Sequence, residues 1–108
     1  MDIQLKRGLL DVCVLAAIKD EDSYGYQINK RVAEISGGGL EMKEATLYTA
    51  FRRLEGAGYI RSYWGDEMSG ARRRYYALTS QGREKLLQDC EAWQETKRLI
   101  DRLLEEAE

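Results

Sequence analysis

Thr46-Leu47-Tyr48-Thr49-Ala50-Phe51-Arg52-Arg53-Leu54-Glu55, then Gly58-Tyr59-Ile60, then Arg72-Arg73-Arg74-Tyr75-Tyr76-Ala77-Leu78-Thr79 are the runs that decide the fold. In the first, Leu47, Ala50, Phe51 and Leu54 recur at helical spacing and share one face, with Tyr48 at its flank. Ala45, Thr49, Arg52 and Arg53 fall on the other face. The helix starts at about Lys43 or Glu44, and Gly56 and Gly58 end it. Residues 60–64 and 72–78 then read as two strands, joined by a loop over 65–71 that is longer than a tight turn. In a strand Arg72 and Arg74 share a face and Arg73 takes the other, with Tyr76 and Leu78 directed inward. An amphipathic helix followed by a basic hairpin can dock in a DNA major groove and press a charged wing on the backbone. The acidic pair Asp66-Glu67 in the loop argues against a basic wing tip.

Upstream, Leu5, Leu9, Val12, Cys13, Ala16 and Ala17 recur at helical spacing, and Leu10, Val14, Leu15 and Ile18 widen the face. Such a helix is either central and buried or shared with a second subunit. Residues 19–22 form a turn. Ser23 is the expected N-cap of a second helix, with Tyr24, Ile28, Val32 and Ile35 as its inward stripe. Gly25 lowers helix propensity and allows close approach of another helix. The run Ser36-Gly37-Gly38-Gly39 ends that helix. It lacks the downstream Gly-Lys-Ser/Thr of a phosphate-binding loop.

Downstream, Thr79 reads as the N-cap of a helix running from about Ser80 to near Ala107. Leu86, Cys90, Trp93, Lys97, Ile100, Leu104 and Ala107 alternate spacings of four and three, a seam with one charged interruption. Leu87, Leu99 and Leu103 lie beside it. So much apolar surface on a terminal helix calls for a homodimer.

The fold class is therefore α+β and mainly helical: a winged helix-turn-helix with a long C-terminal dimerisation helix. Residues 1–79 form the DNA-binding unit and 80–108 the dimerisation helix. The chain has 108 residues, no proline, and 44% hydrophobic against 33% charged residues, so it folds around one core. Net charge is -2, but its distribution is uneven. Residues 43–78 carry 7 basic and 4 acidic side chains, whereas the flanking segments are net acidic. The basic footprint coincides with the helix and hairpin.

Without histidine there is no imidazole base or ligand. Cys13 and Cys90 match no metal-binding spacing and read as reduced, buried thiols. Ser23, Ser62 and Ser69 lack an activating base. No catalytic residue, metal or cofactor is expected. No basic-then-apolar leader or membrane-length apolar run is present, which points to the cytoplasm.

With these segments in hand, the chain resembles the PadR family of bacterial transcriptional regulators. The resemblance runs through Tyr24-Gly25-Tyr26-Gln27-Ile28, Glu44-Ala45-Thr46-Leu47-Tyr48, Arg53-Leu54-Glu55 and Gly58-Tyr59-Ile60. It continues through Ser62-Tyr63-Trp64-Gly65-Asp66-Glu67, Gly70-Ala71-Arg72-Arg73 and Tyr75-Tyr76-Ala77-Leu78-Thr79, with Gly82 and Trp93 beyond. It is nearest to the short members with one C-terminal dimerisation helix, among them a multidrug-binding repressor. The resemblance implies a homodimeric repressor on a palindromic operator, with the third helix as the recognition helix.

The expected DNA contacts are Lys43, Ala45, Thr46, Tyr48, Thr49, Arg52 and Arg53 on that helix and Arg72, Arg73 and Arg74 on or beside the wing. Thr49 and Arg52 suit base edges; Lys43 with the helix N-terminus suits a phosphate. The bland alternative is an ordinary solvated helix face. By the same resemblance Trp93 occupies a position that stacks on planar aromatic effectors at the dimer centre, with Lys97, Leu9 and Cys13 around it. Lys97 stands where an acidic residue is found in the multidrug-binding relative, which disfavours cationic compounds unless the lysine snorkels away. Packed interface core is the alternative for Trp93. Two other function classes remain open: a protein-interaction module on the same scaffold, and a small-molecule carrier centred on Trp93.

Overall fold

The computed structural model describes residues 3–66 and 72–106, the side chains of 3–7 excepted. The expected inward position of Leu5, the loop acid Glu67 and the seam residue Ala107 lie outside the described residues. The elements in chain order are α1 (Ile3–Ala17), β1 (Ser23–Tyr24), α2 (Gly25–Ile35), α3 (Glu44–Gly56), β2 (Ile60–Trp64), β3 (Arg74–Leu78) and α4 (Ser80–Glu106). A small antiparallel sheet in the order β1-β3-β2 packs beside the helices.

The core gathers Val14, Leu15 and Ile18 of α1, Ile28 and Val32 of α2, Leu47, Phe51 and Leu54 of α3, and Ile60 and Tyr76 of the sheet. Phe51 stacks on Tyr76 at 3.9 Å, which seats α3 on β3. A Cβ at Gly25 would stand 3.0 Å from the Tyr48 hydroxyl and 3.7 Å from Leu47 Cδ2. The missing side chain is therefore what lets α2 approach α3 this closely. In the connector between them, the Asn29 amide donates to Met42 O at 2.8 Å and its carbonyl accepts from Met42 N at 3.2 Å. That reciprocal pair fixes where α3 starts. Gly37 and Gly38, both at positive φ, provide the reversal after α2.

The third helix and the first hairpin strand fall where the sequence pattern places them. The second strand begins at Arg74 rather than Arg72. Thr79 caps α4 as expected: Gly82 N donates to its Oγ1 at 3.0 Å. Its hydroxyl also bonds Gly58 O at 2.7 Å, tying α4 to the end of α3.

Four further expectations need correction. Ser23 does not cap α2; it pairs with Tyr76 in β1, its hydroxyl donates to Gln27 Oε1 at 2.5 Å, and Tyr24 is the N-cap without a side-chain bond. Ile35 is not inward: it ends α2 beyond the core and is 72% exposed. Cys90 is exposed on this chain, because only Gly82 and Leu86 of α4 are buried; Cys13 is half-buried. On β3 the buried pair is Tyr76 and Ala77, with Leu78 only partly covered.

Candidate nucleic-acid interface

Burial of Leu47, Ala50, Phe51 and Leu54 turns the other side of α3 to solvent. Lys43, Ala45, Thr46, Thr49, Arg52 and Arg53 are all exposed there, and Tyr48 sits at the margin. The cap residue Lys43 makes no side-chain cap bond, so the first-turn amides keep their capacity to bind an anion. Small residues occupy the N-terminal half of this face and arginines the C-terminal half. Thr49 Oγ1 donates to Ala45 O at 2.8 Å and accepts from Arg52 Nη2 at 3.4 Å. The helix backbone thus steadies Thr49, and Thr49 orients the Arg52 guanidinium along the exposed face.

Arg53 behaves differently. Its Nε donates to Asp11 Oδ2 at 3.2 Å and its Nη2 pairs with Asp11 Oδ1. The hydrogen bond to Asp11 is the main reason that the guanidinium holds its proton more tightly than usual. This arginine is exposed yet engaged with α1.

The wing arginines divide along the sheet. Arg74 lies on the same face as Ser62 and Trp64: its Nη2 donates to Ser62 Oγ at 2.8 Å and its guanidinium stands 5.6 Å from the Trp64 ring centre. Glu55, at the end of α3, accepts from both Ser62 N at 3.1 Å and Ser62 Oγ at 2.7 Å. The third helix and the wing are thereby fastened to one another. On the outer face, Tyr24, Tyr75 and Tyr63 form a row, with centre distances of 5.5 and 5.7 Å. Arg73 lies over Tyr24 at 4.6 Å and Arg61 over Tyr63 at 5.5 Å. Tyr63 donates its hydroxyl to Asp22 at 2.5 Å, the main reason for its raised pKa. Arg72 Nε donates to Gly65 O at 3.4 Å. The sequence reading missed two groups here. Arg61 follows from the alternation of β2, in which Ile60 is buried and Arg61 must point outward. Trp64, 54% exposed, is a large aromatic at the root of the wing.

The residues expected around an effector are not gathered into a pocket by one chain. Leu9 and Cys13 are half-buried on α1, with the thiol pKa raised by burial. Trp93 is 46% exposed on α4. The Lys97 ammonium is bound to Asp101 at 2.9 Å. Two clefts among the described residues, of about 340 and 360 Å³, lie elsewhere: against Asp20, Asp22, Gln27 and Arg31, and against Tyr63, Asp66 and Tyr75. Among the described residues no group of three metal-ligating side chains converges, and no helix is long and apolar enough to cross a membrane.

A helix with a polar face, backed by the core and fastened to an arginine-bearing wing, is the shape of a DNA reader. The sequence profile of the transcriptional regulator PadR-like family matches residues 14–88. The chain belongs to the PadR-like family. A transcriptional regulator from Clostridium thermocellum is 40% identical, with a TM-score of 0.85 over 94% of this chain and 96% of its own. A PadR family transcription regulator from Clostridium difficile R20291 is 35% identical, with a TM-score of 0.81 over 90% of this chain and 99% of its own. An uncharacterized protein of Lysinibacillus sphaericus is 39% identical over 92% of this chain and 91% of its own length. As a PadR member the chain is a DNA-binding transcriptional regulator and not an enzyme. α3 and the β2–β3 hairpin are the helix and the wing of a winged helix-turn-helix.

Proposed function

We propose that this PadR regulator acts as a homodimeric repressor on a palindromic operator and is released by a planar aromatic effector. It belongs with the short members that dimerise through one C-terminal helix, the multidrug-binding repressor among them. The observation that carries the DNA reading is the Thr49–Arg52 pair on the exposed face of α3, opposite the buried Leu47 and Phe51. Thr49 and Arg52 read base edges; Lys43, Ala45, Thr46 and Tyr48 approach the backbone at the helix N-terminus; Arg72, Arg73 and Arg74 neutralise phosphates beside the wing. Arg61 joins that set.

Support for the dimer comes from α4. Leu87, Leu99, Ile100, Leu103 and Leu104 are each 47–66% exposed on the single chain. An apolar row of this extent is stable in water only when covered, and a second α4 with the α1 of the partner covers it symmetrically. Two Trp93 rings then lie near the axis, where they sandwich one flat ligand between Leu9 and Cys13 of the two chains. The Lys97–Asp101 pair removes the net charge that would otherwise select among ligands, so the effector is a neutral planar aromatic.

Selection from a random duplex library, alongside the DNA upstream of the chain's own coding sequence, tests the proposal. A palindromic consensus bound by two chains is the expected result, and release by a neutral polycyclic aromatic the second. Binding of single half-sites by monomers would overturn the dimeric reading. An effector that binds without loosening DNA would leave a carrier rather than a switch.

A further inference from the structure

We infer that Asp11 is a positioning residue for DNA recognition, acting through Arg53 to set the angle of α3 against α1. Arg53 sits in the last turn of α3 beside Arg52, on the exposed side. A long arginine there would ordinarily be free to reach a phosphate. Instead both arms of its fork close on one carboxylate, Nε on Oδ2 at 3.2 Å and Nη2 on Oδ1. Two parallel bonds between planar groups fix orientation as well as distance. The partners are 42 residues apart in sequence, so the bond is tertiary and joins the end of the reading helix to the first helix of the chain.

The charge of Asp11 is also felt on α4. Lys85, in the second turn of α4, holds its proton tightly because it bonds Asp89; Asp89, Tyr59 and Asp11 add to this through their charge. Asp11 is thus bound to Arg53 of α3 from a helix that also packs against α4. Leu9 and Cys13 lie two residues to either side of Asp11, which places them on the opposite side of α1. One side of α1 thus serves the proposed effector space and the other holds the reading helix.

In a dimer joined through α1 and α4, the angle of α3 to those helices sets the separation of the two reading helices, which must match the spacing of the half-sites. Arg53 contributes to affinity by keeping that angle, with its charge already neutralised. This inference rests on the dimeric operator reading above. The opposite possibility, that Arg53 leaves Asp11 to bind a phosphate, makes contrary predictions.

The experiment is a titration of the full-length protein with a duplex selected by the wild type, between roughly 50 and 200 mM salt. The variants are D11N, R53Q, the double D11N/R53Q, R53K and, for comparison at a proposed phosphate contact, K43Q. D11N and R53Q should each weaken binding on the order of tenfold, and the double should be no worse than either, because both remove one interaction. R53K should not restore affinity, since an ammonium lacks the fork. The slope of log Kd against log salt should stay at the wild-type value in R53Q and drop by about one in K43Q, which loses a proposed phosphate contact. A slope reduced by about one in R53Q, with D11N binding as tightly as wild type or tighter, would overturn the inference and make Arg53 a phosphate ligand. Unchanged affinity in both single variants would overturn it too, leaving a surface ion pair. If D11N does not fold, the exchanged pair D11R/R53D decides: recovered selective binding supports the coupling, and a folded dimer without it overturns it. Wild-type protein that selects no duplex would instead strike the operator reading itself, before any variant is compared.

Discussion

Gly82 and Tyr59 meet with no side chain between them: a Cβ on Gly82 would stand 2.0 Å from the Tyr59 carbonyl oxygen and 2.7 Å from Leu78 Cδ1. The first turn of α4 thus lies directly on the backbone that leads into β2. Gly82→Ala is expected to destabilise the fold by about 1–3 kcal/mol, since backbone has to move to admit a methyl group. Urea unfolding of the variant against wild type measures this. Equal midpoints would mean that α4 is free to lift off the wing.

Thr79 closes the same junction from the other side. Its hydroxyl accepts from Gly82 N and bonds Gly58 O and Tyr59 O. Thr79→Ala loses the helix cap and these links together, so the cost should be about 1–2 kcal/mol. Thr79→Ser keeps the hydroxyl and should recover most of it. A thermal melt of the two variants makes the comparison.

The chain has two tryptophans, Trp64 at the wing root and Trp93 on α4, so each can be isolated as a reporter. In Trp64→Phe protein, emission from Trp93 should be quenched saturably by neutral planar aromatics. In Trp93→Phe protein it is DNA, and not the aromatic compound, that should change the emission of Trp64. A response of Trp64 to the aromatic with Trp93 silent would move the effector to the cleft beside Tyr63 and Tyr75.

Stability should fall in alkali. Burial raises the pKa of the Cys13 thiol and of the Tyr76 phenol, and the hydrogen bond to Asp22 raises that of Tyr63. A raised pKa means that the folded state holds the proton more tightly than the unfolded chain. The stability so gained is complete below the unfolded value and is lost as pH rises through the folded one. Denaturant midpoints should therefore hold steady to about pH 8.5, where a free thiol titrates, and decline above it, with the phenols contributing from about pH 10. Cys13→Ala should flatten the first part of that decline. A wild-type midpoint rising across this range would contradict the sign.

The α3 helix and the hairpin after it are legible in the sequence because their periods are strong. Leu47, Ala50, Phe51 and Leu54 mark a helix face, and Ile60 to Trp64 alternates around a buried isoleucine. What pattern does not reveal is pairing at a distance. Ser23 and Tyr24 carry no strand signal of their own; they form β1 only because Tyr75 and Tyr76 of β3 lie alongside. Ser23 consequently reads as a cap when it is a strand residue. Arg53 is the instructive case at the site. Its position on the polar face is plain from spacing, but its partner Asp11 lies in another helix that spacing does not relate to it. Ile35 and Cys90 fail for a simpler reason: helical period tells which residues align, but not how far the covering layer extends.

The Glu55–Ser62 bond has one more consequence. The hydrogen bonds Gly65 N to Arg73 O and Thr79 N to Tyr59 O show that odd-numbered residues of the first wing strand face β3, which leaves the amide of Ser62 on the open side. That open side is a template on which a neighbouring molecule could lay a strand. The Glu55 carboxylate already occupies its middle amide, and the sheet's other border, β1, is two residues long. The wing is thus guarded against sticking edge to edge to copies of the same chain, and the guard is a side chain of α3.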